Sequence, residues 1–126
     1  MIRIAAIIFA TFIFTLPIHS TASEQGNAIS IADLYKDKAS LNGQQVTLSG
    51  KVVKVNNNIM RRNFLHLQDG TGSADDGSND ITVTSQDTAN VGDQVTISGT
   101  LILDHDFGAG YKYPLLIEKA TISASE

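Results

Sequence analysis

Between Gln44 and Ile122 apolar and polar residues alternate over short runs, and in two of those runs the alternation slips by one residue. In the first, Val46, Leu48, Gly50 and Val52 occupy every second position, and then Val53 and Val55 take the other phase. In the last, Tyr113, Leu115 and Ile117 give way to Ala120 and Ile122. Side chains of a strand alternate between two faces, so a slip of one moves the apolar set to the opposite face. A strand that keeps one face buried through such a slip has to bulge or bend, near Val52–Val53 in the first run. Bulges of this kind let a small sheet curl until it closes on itself.

Three straighter runs lie between. Phe64–Gln68 places Leu65 and Leu67 on one face and Phe64, His66 and Gln68 on the other. Asp80–Thr84 points Ile81 and Val83 inward, and Gln94–Leu103 does the same with Val95, Ile97, Gly99, Leu101 and Leu103. Asp69-Gly70 and Gly92-Asp93 are turn signals, and TGSADDGSND and HDFGAG read as loops. Ahead of the strands, Ile31, Leu34 and Tyr35 recur at helical spacing. Ser30 is a plausible N-cap with Asp33 three residues on, and Asn42-Gly43 stops the helix, which is expected over Ile31–Ala39. An open five-strand sheet would leave two exposed edges. The expected fold is therefore all-β: a five-stranded Greek-key OB-fold barrel with a short N-terminal helix.

The start of the chain carries a different signal. Met1-Ile2-Arg3 is a short positive start, Ile4–Ile18 is almost wholly apolar, and Ser20 and Ala22 stand at the −3 and −1 positions of a cleavage site. This is the pattern of a secretory signal peptide. The alternative, a membrane anchor, would need roughly 17–25 apolar residues. The expected organisation is a signal peptide over 1–22, a flexible N-terminus over 23–30 and the OB-fold domain over 31–126, in a periplasmic or secreted protein. Without Arg3 the remainder holds eight basic and thirteen acidic side chains, a formal charge of −5. It has no cysteine, which excludes disulfides, dithiol redox chemistry and thiolate metal sites.

The stretch SLNGQQVTLSGKVVKV resembles the first strand of the bacterial OB-fold superfamily related to anticodon-binding domains. NFLHLQDGTG, DITVTS, VGDQVTISGTL and DFGAGYKYPLLIEKATI resemble a family of small exported bacterial OB-fold proteins that carry DNA- or nucleotide-binding labels. The resemblance runs from about Ile31 to Ile122. It implies the fold and a periplasmic location and supplies no ligand, because fold does not settle function.

Several residues are candidates for contact with a ligand or partner: Arg61, Arg62, Asn63, Phe64 and His66 around the second strand, and Phe107, Tyr111 and Tyr113 in DFGAGYKYP. Gly108 and Gly110 permit left-handed backbone in that loop. Aromatics beside cations suit single-stranded nucleic acid, with Lys51 and Lys54 as further cations, but two arginines in an acidic chain are a weak phosphate-binding footprint. The bland alternatives are a solvated loop at Arg61-Arg62, Phe64 packed on the barrel, and Phe107 plugging a barrel end. For metal, Met60, His66 and His105, with Asp104 and Asp106 beside them, offer thioether, imidazole and carboxylate donors for copper or zinc, without a ligand-spaced motif. No nucleophile stands beside a base, so catalysis is not expected. The expectation is a non-catalytic binding or accessory protein without cofactor, contacting a periplasmic protein or small ligand. Oligonucleotide binding and copper or zinc binding are the alternatives.

Overall fold

A computed structural model of the protein describes residues 28–125; the signal peptide expected over 1–22 and the segment 23–27 lie outside the described residues. Two short helices, α1 (Ile31–Lys36) and α2 (Lys38–Leu41), precede β1 (Gln45–Ile59), β2 (Arg62–Gln68), β3 (Ile81–Ser85), β4 (Gln94–Asp106) and β5 (Lys112–Ala124). The five strands form one sheet that closes in a ring in the order β1-β2-β3-β5-β4, with β4 returning to β1. The β3–β5 pair is parallel and the others are antiparallel. Leu48, Leu65, Ile81, Val83, Leu101 and Ile117 point into the ring and are fully buried. Ile31 and Leu34 of α1 join the same core.

Both expected slips are bulges. In β1 the pairing with β2 jumps from Val52↔Leu67 to Lys54↔His66, leaving Val53 over. In β5 two residues, Lys119 and Ala120, oppose the single Gly99 of β4, between the pairs Ser98↔Thr121 and Thr100↔Glu118. Lys119 takes left-handed backbone there (φ 54°). A Cβ on Gly99 would lie 2.7 Å from Ile117 Cγ2 and 3.0 Å from both Ala120 Cα and Glu118 O. The bulge therefore folds against a position that has no side chain.

The helix differs from its expected form. It begins at Ser30, whose Oγ accepts the Asp33 N–H (3.1 Å), but it breaks at Asp37. The Asp37 carbonyl starts a new turn by accepting the N–H groups of Ser40 and Leu41. The first two N–H groups of α1 are capped from far along the chain. Ile31 N–H donates to Asp69 Oδ2 (2.9 Å) and Ala32 N–H to Thr71 Oγ1 (3.0 Å). Asp69 Oδ1 in turn accepts from the backbone and the hydroxyl of Thr71. Asp69-Gly70 is thus both the expected turn and the clamp that holds the helix on the ring. Ile29 N–H pairs with Thr47 O, so the end of the segment expected to be flexible is tied to β1.

Candidate functional site

The two hairpins at one side of the ring meet through their side chains. The β1–β2 hairpin turns at Met60-Arg61, both with left-handed backbone (φ 48° and 64°). Two-residue hairpin turns demand such angles, and Asn-Gly is the usual solution. Met and Arg carry a steric cost there. The β4–β5 hairpin turns through residues 107–111, where Gly108, Ala109 and Gly110 all have positive φ. That loop is tied by Phe107 N–H to Tyr111 O (2.8 Å) and Tyr111 N–H to Gly108 O (3.0 Å).

Between the two turns lies an aromatic cluster. Phe64 meets Phe107 edge-on (centroids 5.5 Å apart) and stacks on Tyr113 (5.8 Å). His105 packs edge-on against Phe107 at 4.2 Å. The Arg62 guanidinium lies 4.7 Å from the centre of the Phe107 ring and contacts Glu118 Oε1 at 3.4 Å. Aromatic pairs in these geometries are worth about 0.5–1.5 kcal/mol beyond the area they bury, so the cluster fixes one hairpin against the other. Burial, and then the neighbouring Tyr111, raise the Tyr113 pKa. The tips stay open: Tyr111 is 43% exposed and Met60 38%.

The residues singled out in the sequence divide into three groups. Arg62, Phe64, Phe107 and Tyr113 come together, with Tyr111 and Arg61 at the adjoining tips. Asn63 closes the turn region, its Oδ1 accepting the Asn58 N–H and its Nδ2 donating to Asp87 O. His66 joins a different network. Its Nδ1 is 2.8 Å from Asp80 Oδ1, while Gln68 donates to Asp80 Oδ2 and the Tyr35 hydroxyl donates to Asp80 O. Burial first, then the charges of Asp80 and Asp76, raise the Tyr35 pKa. The three metal candidates have separate surroundings: Met60 in a turn, His66 on Asp80, His105 on Phe107. Among the described residues no three His, Cys, Asp or Glu side chains gather into a metal-holding group. The Phe107 ring lies on the Phe64–Tyr113 cluster rather than in the end of the ring, where Ile31 and Leu34 are part of the core.

Glu118, the ion-pair partner of Arg62, carries no signal in the sequence, and neither does Thr84. Thr84 belongs to a groove of about 460 Å³ where β3 ends beside the β5 bulge. Only the one-residue slip hinted at a feature there.

A solved structure titled a putative aspartyl-tRNA synthetase from Leishmania major Friedlin has a similar fold, with a TM-score of 0.55 and 12% identity. The match covers 86% of this chain and 23% of that one. At that identity the likeness is one of fold alone. No family model and no curated protein matches the sequence.

Proposed function

We propose that the protein is an exported OB-fold binding module, non-catalytic, that grips a periplasmic protein through the two joined hairpin tips. The ring order β1-β2-β3-β5-β4 with its parallel β3–β5 pair supports the OB assignment. The apolar leader Ile4–Ile18 with its small-residue cleavage site supports export. One observation carries the binding reading: Arg62 over Phe107 joins the hairpins while Met60 and Tyr111 stand partly exposed at the tips. Tyrosine and methionine on a fixed scaffold are the side chains interfaces favour. The left-handed Met60-Arg61 turn adds to this, because backbone cost retained at an exposed tip points to a use for those side chains.

Tyr111→Ala with Met60→Ala tests the surface, since neither residue is buried. The expected result is an unchanged melting temperature and loss of the specific cross-linked periplasmic partner seen with the wild type; an unchanged cross-linking pattern overturns the reading. Oligonucleotide binding is driven by cations that neutralise phosphates, and here, without Arg3, eight basic side chains are outnumbered by thirteen acidic ones, Glu118 standing beside Arg62 itself. Short single strands at low salt are expected not to bind. A converse variant, Met60→Asn with Arg61→Gly, is expected to raise stability by about 1 kcal/mol by supplying the residues this turn prefers. Thermal unfolding measures that gain, and the same variant is expected to weaken the partner contact.

A further inference from the structure

The groove beside the β5 bulge is a second candidate site, separate from the exposed tips. Three observations define it. First, its shape follows from the register: β3 pairs Val83↔Ile117 and then Ser85↔Ala120, so β5 spends an extra residue there and opens a hollow of about 460 Å³. Second, Thr84, on its floor, is 1% exposed, and its hydroxyl has no hydrogen-bond partner among the described residues. A buried hydroxyl without a partner is costly to keep, and such groups call for an explanation. Third, the lining brings two cations, Arg62 and Lys119, beside two carboxylates, Glu118 and Asp87. Asp87 Oδ2 already accepts the Ile122 N–H (3.1 Å), and Glu118 is held by Arg62. Arg62 spends one of its five donors on Glu118, in a single contact at 3.4 Å. The Lys119 ammonium, on the lip, makes no ion pair among the described residues.

We propose that this groove binds a small organic monocarboxylate, held by the Arg62 guanidinium and the Thr84 hydroxyl, with Lys119 adding attraction at the mouth. A planar carboxylate matches the guanidinium fork. The apolar part of the ligand lies against Ala120 and the methyl of Thr84. Glu118 and Asp87 in the same wall disfavour a dianion. The Thr84 hydroxyl is shut off from solvent, so lining side chains move as the ligand enters, and Arg62 receives the carboxylate on donors that its single contact with Glu118 leaves unused.

The test is a titration of the isotope-labelled full chain with butyrate and with inorganic phosphate, followed by NMR at the amides of Thr84, Ser85, Lys119 and Ala120. Butyrate is expected to shift these amides saturably and at least about tenfold more tightly than phosphate. Thr84→Val keeps the shape, removes only the hydroxyl and is expected to weaken butyrate about tenfold, the value of one hydrogen bond. Arg62→Gln is expected to abolish saturation, and Tyr111→Ala to leave it unchanged, which separates this site from the hairpin tips. Linear, non-saturating shifts, equal response to phosphate, or wild-type affinity in Thr84→Val would each overturn the proposal. Thr84→Val is also expected to melt no lower than the wild type, because it removes an unsatisfied group; this checks that any loss of binding is not loss of fold.

Discussion

Gly99→Ala is expected to destabilise the protein by about 3 kcal/mol, the upper end of what overpacking a filled core costs. Two of the three atoms its methyl would meet are backbone at 3.0 Å, Ala120 Cα in the bulge and Glu118 O flanking it. The third, Ile117 Cγ2 at 2.7 Å, belongs to a fully buried side chain with nowhere to retreat. Relief requires β5 to move away from β4, across the longest antiparallel pairing in the sheet. For a domain near 100 residues the loss corresponds to roughly 12–20 °C in melting temperature. Gly50→Ala makes an informative comparison. Its Cβ would stand 3.0 Å from Gln68 O, one tight contact rather than three, and a smaller loss is expected. Thermal unfolding followed by circular dichroism measures both; an equal loss in the two variants would mean that the β5 bulge yields more readily than its packing indicates.

Much of this architecture is legible in the sequence because strands write their pattern locally. Val95, Ile97, Gly99, Leu101 and Leu103 announce β4, although it runs on to Asp106. Each one-residue slip marks a bulge, since a buried face cannot change sides. The third strand shows where local reading stops. Ile81 and Val83 face the core as the alternation requires, but Thr82 and Thr84 are buried as well, Thr82 between His66 and Leu116 of the flanking strands and Thr84 beside Phe64. The break at Asp37 is equally silent: the side-chain spacing continues through it while the backbone does not.

The candidate site is half legible. Phe64, Phe107 and Tyr113 stand out as aromatics in polar surroundings, and they do meet. Strand alternation alone groups His66 with Phe64. The histidine turns instead to Asp80, the residue just before β3, once the β2–β3 pairing brings Thr82 opposite. The Arg62–Glu118 pair and the groove depend on the parallel β3–β5 contact, which joins segments more than 30 residues apart and leaves no local trace.

Asp69 makes the second large effect, and its sign with pH follows from its partners. Burial raises its pKa, but the hydrogen bonds from the Thr71 hydroxyl, the Ile31 N–H and the Thr71 N–H outweigh that and hold it below the usual aspartate value. Its folded pKa is therefore depressed relative to the unfolded chain, where it lies near 3.9. The clamp's contribution is fully present above that unfolded value and is lost as pH falls through the folded one. Asp69→Ala strips the cap from Ile31 and leaves Thr71 without its anchor, at an expected cost of about 2 kcal/mol at pH 7, the upper part of the range for N-cap removal. Asp69→Asn keeps one acceptor oxygen where the native residue uses two, so about 1 kcal/mol is expected. The wild type's advantage over both variants is expected to be constant from pH 8 down to about pH 5 and to shrink below about pH 4. Urea unfolding at a series of pH values measures it. An advantage that persists undiminished at about pH 2 would show that the carboxyl holds α1 by its shape and not by its charge.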